Sequence, residues 1–226
     1  MCNLYASMST QDEMRRLFDV APGRDRLGNF APLPAIYPRH SAPVVRLGAD
    51  GARELAAMHW GFLLPQRSSK TGRPILPRAV NNARDDKLAH STFWKASFES
   101  RRCLVPATAF AEAKGRNPAT FYWFGMADDD PRTRPPFAFA GLWRRFQGVY
   151  RGEAVEIDTH TVVTTTPNAL VRPVHPERMP VILAREDYDS WLGAPPAEAA
   201  RLLRPFPPDA MRIVAEGEGL KRDPAR

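Results

Sequence analysis

The chain has 226 residues, 43% of them hydrophobic and 25% charged, so it can bury a core and is not of the disordered class. Its net charge of +7 and pI near 9.8 favour an anionic partner, and nucleic acid rather than a membrane, because no apolar run could span a bilayer. Two cysteines are too few for a disulfide framework or a structural zinc site. We expect a cytoplasmic protein that has reduced thiols and needs no cofactor or metal.

The N-terminus carries the most unusual chemistry. Cysteine is small enough for Met1 to be removed before it, which would leave Cys2 with a thiol and an α-amine on one residue. That amine titrates at about pH 7.7–8.0, so a fraction of the molecules carries it unprotonated and nucleophilic at neutral pH. A 1,2-aminothiol condenses with an aldehyde to a Schiff base, which the thiol closes to a thiazolidine. A cysteine at this position is also compatible with an unreactive, frayed terminus.

The first hundred residues predict short elements separated by long connections. A polar cap followed by acidic residues predicts a helix start at Ser9–Glu13, running to about Phe18. The further predictions are a loop over 21–43, strands at Val44–Leu47 and Glu54–Trp60, a polar loop over Pro65–Pro77 and a helix at Ser91–Ser100.

The second half is dominated by apolar and β-branched runs of strand length, followed by short helices after Glu186 and Ala197. Regular βαβ alternation is missing, which favours an α+β fold with a mainly antiparallel, barrel-like sheet. We expect one domain over residues 1–226, with the last ~15 residues as a tail, and a monomer. The predicted strands are Cys103–Val105, Thr120–Phe124, Phe137–Trp143 and Val155–Thr166.

Polar residues interrupt apolar surroundings at three further places. Asn81–Arg84 follows an apolar pair, Glu112 ends the apolar run that begins at Arg102, and His175 opens the stretch that leads to Leu183. Each feature alone is more often structural than catalytic.

Taken together and in order, these stretches resemble the SOS response-associated peptidase (SRAP) family, whose members process abasic sites in single-stranded DNA. The resemblance extends from Cys2 to about Trp191, and one extra residue separates His175 from Arg178 relative to the family pattern. It is carried by Cys2, Met58–Pro65, Asn82–Arg84, Arg102–Ala107, Phe137–Trp143 and Arg178–Leu183.

The resemblance implies four catalytic residues. Cys2 would trap the ring-opened aldehyde of an abasic sugar, and Asn82 would hydrogen-bond the Cys2 end or the sugar. Glu112, with its pKa raised by apolar surroundings, would move protons during Schiff-base formation. His175 would act as a second acid or base near the sugar oxygen.

The resemblance also implies DNA contacts. Arg84 and Arg178 would bind phosphates that flank the lesion. Trp60 and Phe62 would stack on exposed bases, with plain core packing as the alternative for Trp60. Cys103 lies in a strand-like run and reads as a buried structural residue.

Three functions stay open from the sequence. The first is an abasic-site sensor or processor that forms a covalent adduct with single-stranded DNA through Cys2, with abasic-site lyase activity, removal of its own Met1 and association with the nucleoid. The second is an N-terminal-nucleophile cysteine peptidase that acts on peptides. The third is a non-catalytic single-stranded-DNA-binding module, for which Cys2 would be dispensable.

Overall fold

The computed structural model describes residues 2–128, 130 and 133–225. No helix in these ranges is long and apolar enough to cross a bilayer. The α-helices are α1 (Gln11–Leu17), α2 (Lys95–Ser100), α3 (Tyr188–Gly193) and α4 (Pro196–Ala199), and single 3-10 turns form at Pro22–Arg24, Asp85–Lys87, Arg185–Asp187, Ala200–Leu202 and Pro208–Ala210. The strands are β1 (Tyr5–Ser7), β2 (Leu33–Ile36), β3 (Ser41–Leu47), β4 (Arg53–Trp60), β5 (Phe62–Arg67), β6 (Pro74–Val80), β7 (Asn82–Arg84), β8 (Arg102–Ala107), β9 (Ala109–Lys114), β10 (Thr120–Met126), β11 (Phe137–Tyr150), β12 (Glu153–Thr165), β13 (Met179–Pro180), β14 (Ile182–Leu183) and β15 (Met211–Glu218).

Five strands close into a barrel. Each of β4, β3, β8, β11 and β12 pairs with the next, and β12 returns to β4. All these pairings are antiparallel except β12 with β4, which is parallel. Closure leaves no unpaired edge between these strands. The predicted α+β class with a mainly antiparallel, barrel-like sheet is confirmed.

A second sheet, in the order β15-β10-β9-β1-β2, packs one face against the barrel. The two layers share a set of buried residues, the Cys2 core, which includes Cys2, Tyr5, Trp60, Phe110 and Phe139. The Tyr5 ring meets the rings of Trp60 and Phe139 edge-on, with centroids 4.9 and 5.7 Å apart. The N-terminal strand is thus fixed to the barrel by aromatic packing.

Helix α1 begins where the sequence indicates. Thr10 is its N-cap, and its hydroxyl accepts from the Glu13 N–H while the Glu13 carboxylate accepts from the Thr10 N–H. This reciprocal pair is a capping box. Met14 and Phe18 are buried against the barrel side of the molecule.

Three predicted irregular segments are regular instead. The 21–43 loop contains β2 and the start of β3, and most of Pro65–Pro77 belongs to the β5–β6 hairpin. The register of that hairpin shifts between Leu64 and Gln66, so Pro65 lies at an irregularity where its missing N–H interrupts no ladder. The predicted tail is also ordered at its start, because β15 pairs with β10 along its length.

Gly141 on β11 should be intolerant of a side chain. A Cβ there would lie 2.7 Å from Val105 Cγ2 and 2.8 Å from Cys103 Sγ inside the barrel. We expect Gly141→Ala to lower the free energy of unfolding by about 1–3 kcal/mol through overpacking. Urea unfolding monitored by tryptophan fluorescence measures this change. Gly23→Ala is the control, because nothing lies within 4 Å of its added Cβ, and equal losses from both would contradict the packing argument.

Candidate active site

Cys2 is fully buried, and its carbonyl is held by two amides. Asn82 Nδ2 donates to the Cys2 carbonyl oxygen at 2.8 Å, and Asn81 Nδ2 donates to the same oxygen at 3.3 Å. Asn81 Nδ2 also donates to Asn3 Oδ1 at 2.8 Å. The expected hydrogen bond from Asn82 to the Cys2 end is therefore present. Met1, whose removal would expose the Cys2 amine, lies outside the described residues.

The two asparagines are fixed at the step from β6 to β7. The Asn81 carbonyl accepts from Trp60 Nε1 at 2.9 Å and from the Val162 N–H at 3.1 Å. Asn82 begins β7, which pairs in parallel with β12. The sequence analysis selected only Asn82, although two adjacent asparagines, Asn81 and Asn82, indicate that both could take part in the site. The Asn82 Oδ1 atom is buried with no hydrogen-bond partner among the described residues, so it can accept from a bound group.

Glu112 lies beside the N-terminal segment. The Ala111 N–H donates to the Leu4 carbonyl at 2.9 Å, so the residues before Leu4 run back alongside Glu112. Alternation along β9 places Glu112 on the same face as Phe110, a member of the Cys2 core. Tyr122 of β10 is its cross-strand neighbour.

Burial sets the protonation of this pair. Glu112 is 5% exposed, and desolvation raises the pKa of its carboxyl from 4.5 to about 7. Burial also raises the pKa of the Cys2 thiol, and the negative charge of Glu112 raises it further. A carboxyl that titrates near neutrality next to a protonated thiol is suited to passing protons to and from it.

His175 lies at the edge of the Cys2 core, next to Val174, which packs against that core. Its Nδ1 accepts from the Arg178 N–H at 3.2 Å, so the neutral ring carries its proton on Nε2. Desolvation lowers the pKa of His175, which favours this neutral form.

Arg178 is buried, whereas the predicted phosphate contact requires it at the surface. Its side chain is buried, with Nη2 2.6 Å from Asp85 Oδ1 and further hydrogen bonds to the hydroxyl and carbonyl of Thr164. The predicted phosphate contact is wrong in this structure, because a buried guanidinium with a carboxylate partner has no face left for a ligand. Arg178 instead fixes the loop that carries His175.

Arg84 is in the predicted position for a surface contact. Its side chain is 53% exposed on β7, two residues from Asn82. Its Nε and Nη2 atoms donate to the two carboxylate oxygens of Asp86, each at 3.0 Å. A phosphate could replace Asp86 in this forked arrangement.

Trp60 and Phe62 are core residues. Both are 0% exposed, and Phe62 packs against Trp94 and the Arg144 guanidinium, with centroid distances of 5.3 and 4.5 Å. Their burial contradicts the predicted stacking on bases, and Trp60 takes the packing alternative. Cys103 is fully buried in the barrel wall. Among the described residues, no three His, Cys, Asp or Glu side chains cluster in a way that could hold a metal ion.

The raised pKa of Glu112 predicts how the free energy of unfolding depends on pH. The unfolded carboxyl ionises near 4.5 and the folded one near 7, so rising pH favours the unfolded chain across that window. We expect Glu112→Gln to gain up to about 3 kcal/mol of unfolding free energy relative to the parent between pH 4.5 and pH 8. Urea unfolding at both pH values measures this gain. The control is Glu216→Gln on the outer strand β15, since Glu216 is exposed; the same pH trend in both variants would contradict the burial argument.

Comparison with known proteins identifies the family. Residues 1–216 match the family described as SOS response associated peptidase (SRAP). The chain is 28% identical over 220 residues to the abasic site processing protein YoqW of Bacillus subtilis strain 168, covering 93% of this chain and 90% of that protein. It is 27% identical over 216 residues to the abasic site processing protein YoaM of the same strain, covering 93% and 88%.

Solved structures agree with this match. A protein from Bordetella bronchiseptica superposes with a TM-score of 0.72 and 25% identity over 96% of this chain and 99% of that one. A protein from Bacteroides thetaiotaomicron shares the fold with a TM-score of 0.73 at 20% identity, over 96% and 91% of the two chains. Because the family match covers residues 1–216 of 226, the protein belongs to the SOS response associated peptidase family.

Proposed function

We propose that this protein processes abasic sites in single-stranded DNA and, once Met1 is removed, links itself to the opened sugar through Cys2. The observation that carries the proposal is the placement of Cys2 against Asn82 and beside Glu112, whose pKa is about 7. The abasic site processing function named for two relatives supports the substrate, and the net charge of +7 suits a polyanion.

The bond changes balance without an added reagent. The Cys2 amine adds to the C1′ aldehyde of the ring-opened sugar, and the resulting carbinolamine loses water to give a Schiff base. The Cys2 thiol then adds to the C=N carbon, and its proton is transferred to the nitrogen. The product is a thiazolidine with one C–N bond and one C–S bond to the former aldehyde carbon, and one water is released.

Glu112 supplies the proton transfers. In its acid form it protonates the departing hydroxyl, and as the carboxylate it accepts the thiol proton. A base is needed in the second step, because burial keeps the Cys2 thiol protonated. The buried Oδ1 atom of Asn82 is placed to accept from a sugar hydroxyl, while Nδ2 holds the Cys2 carbonyl.

His175 acts on the sugar ring. With Nδ1 occupied by the Arg178 N–H, the Nε2 proton of the neutral imidazole is the one to be donated to the ring oxygen when the sugar opens. Arg84 binds a phosphate of the same strand by exchanging its Asp86 partner. His175 thus promotes the ring-opened form of the sugar, and Arg84 holds the strand in place while Cys2 reacts.

The same residues support two accompanying reactions. The Schiff base acidifies the sugar C2′ proton, so its removal would break the 3′ phosphate bond by β-elimination, which is abasic-site lyase chemistry. Attack of the Cys2 thiol on the Met1 carbonyl would break the Met1–Cys2 amide bond and free the Cys2 amine, and water would then hydrolyse the thioester to release Met1. The family's peptidase description favours this self-processing, and activity on other peptides is a second candidate function.

The first functional prediction separates the two cysteines. We expect Cys2→Ala to abolish the heat-stable adduct with an abasic single strand on a denaturing gel, because only Cys2 joins a thiol to an α-amine. Cys103→Ala should keep the adduct, since Cys103 lies in the barrel wall. Cys2→Ser should also lose the stable adduct, while leaving non-covalent binding intact. Equal loss from Cys2→Ala and Cys103→Ala would contradict the aminothiol mechanism.

The second prediction separates the proton carriers. Glu112→Gln keeps shape and hydrogen bonding but cannot transfer a proton, so adduct formation should slow by about 10²-fold or more with DNA affinity nearly unchanged. In the parent, the rate should respond to pH around 7, where Glu112 titrates. His175→Ala should slow the reaction with abasic DNA more than the reaction with a simple open-chain aldehyde. Glu112→Gln at the parental rate would remove Glu112 from the mechanism.

A further inference from the structure

Three basic residues outside the active site come together at one edge of the barrel. Arg39 lies between β2 and β3, and its N–H donates to the Trp60 carbonyl at 2.7 Å, which places it beside His59 at the end of β4. His59 Nε2 is 3.2 Å from the Tyr150 hydroxyl. The Arg151 guanidinium lies 5.5 Å from the centre of the Tyr150 ring. We call Arg39, His59 and Arg151 the basic triad.

The basic triad has buried nitrogen atoms that the protein does not satisfy. His59 is 8% exposed, and its Nδ1 has no hydrogen-bond partner among the described residues. Arg39 Nη1 is also buried and without such a partner, although Nη2 donates to the Pro77 carbonyl at 2.8 Å. Buried polar atoms are normally hydrogen-bonded, so Arg39 Nη1 and the ring of His59 have hydrogen-bonding capacity to offer to an added group.

The charge at this edge identifies the ligand as an anion. Neither Arg39 nor Arg151 forms an ion pair with a residue in the described part of the chain. After desolvation, the charges of these two arginines are a further cause that lowers the pKa of His59. The adjacent hairpin segment 62–80 adds four basic residues and no acidic one. An excess of positive charge with guanidinium donors suits a phosphate.

Backbone strain occurs at the same two arginines. Arg39 has φ of 76° and Arg151 has φ of 54°, and only two other non-glycine residues in the described ranges, Asp19 and Asn117, have positive φ. Aspartate and asparagine tolerate this conformation, whereas arginine is disfavoured in it. Arg151 and Gly152, with φ of 91°, form the two-residue turn between β11 and β12, which requires positive φ at both positions. Glycine would fit at Arg39 and at Arg151 with less strain, so neither position requires an arginine for its backbone conformation.

A short path of hydrogen bonds connects the basic triad with the active site. Arg39 bonds to the Trp60 carbonyl, Trp60 Nε1 bonds to the Asn81 carbonyl, and Asn81 Nδ2 bonds to the Cys2 carbonyl. Two residues, Trp60 and Asn81, therefore connect the backbone of the basic triad with the Cys2 carbonyl.

We propose that Arg39, His59 and Arg151 bind a backbone phosphate of the DNA strand whose abasic sugar reaches Cys2. The nucleic-acid part of this assignment rests on the proposed function, and the anion part rests on the contacts at the basic triad alone.

Salt-dependent binding tests the site. The probe is a single strand containing one tetrahydrofuran residue, which has no aldehyde and cannot react with Cys2. We expect Arg39→Gly and Arg151→Gly each to weaken binding by about 3- to 10-fold and to lower the slope of log affinity against log salt by about one phosphate contact. The melting temperature of Arg151→Gly should equal or exceed that of the parent, because Arg151 is exposed and glycine relieves its positive φ. Weaker binding in a more stable protein cannot result from misfolding.

Arg145→Gln is the matched control. It removes one positive charge from an exposed position of β11, where Arg145 is already paired with Glu156 and Asp158. It should leave the salt slope unchanged. Slopes for Arg39→Gly and Arg151→Gly equal to that of Arg145→Gln would overturn the proposal. Arg39-dependent binding of inorganic phosphate with an unchanged DNA slope would also overturn it, by reassigning the site to a small anion.

The test is independent of the cross-linking chemistry. If abasic DNA formed no adduct with the parent protein, the proposed function would fail, but the slopes measured with the unreactive probe would still decide whether the basic triad holds a phosphate. Conversely, Arg39→Gly should raise the concentration of abasic DNA needed for half-maximal Cys2 adduct, because the basic triad binds the strand and does not take part in bond formation.

Discussion

The hydrogen bond from Asn82 Nδ2 to the Cys2 carbonyl is the contact on which the rest of the site depends. The first residues of a chain are ordinarily frayed unless something ties them down. Here the amide bond, the parallel pairing of β7 with β12 and the aromatic packing of Tyr5 against Trp60 act together. They hold Cys2 in the buried core, where the charge of Glu112 acts on its thiol, so this residue is positioned like a core residue although it lies at the start of the chain.

Burial gives the site its proton chemistry and also limits it. Desolvation brings the pKa of Glu112 to about 7, and it also keeps the Cys2 thiol protonated. A protonated thiol is a poor nucleophile, so Cys2 needs a base to react. A solvent-exposed thiol would react with many electrophiles. In the proposed reaction, the buried Cys2 thiol becomes nucleophilic only when the substrate has delivered the aldehyde and Glu112 has lost its proton. Selectivity for the substrate would follow from this dependence.

Sequence patterns determined most of the framework and less of the surface. The capping box at Thr10 and Glu13 and the apolar runs of β3, β4, β11 and β12 could be predicted, because local chemistry and periodicity specify them. The β5–β6 hairpin could not, since its prolines are typical of loops. Pro65 is compatible with the hairpin because it lies at a register shift, and Pro74 because it is the first residue of β6. The resemblance placed Arg178 on DNA, but its burial depends on Asp85, a partner distant in sequence. The left-handed conformations of Arg39 and Arg151 leave no trace in the sequence.

The separation of Cys2 and Asn82 along the chain has a consequence for the order of events during synthesis. Cys2 leaves the ribosome 80 residues before the asparagine that will hold it, and Glu112 follows later still. At bacterial translation rates this interval is roughly 4–16 s. During this interval the N-terminal segment lacks β7 and β9, the strands that carry its hydrogen-bond partners Asn82 and Ala111. The proposed removal of Met1 by the Cys2 thiol therefore has to wait until β7 and β9 have been made, because the residues that would assist it lie on them.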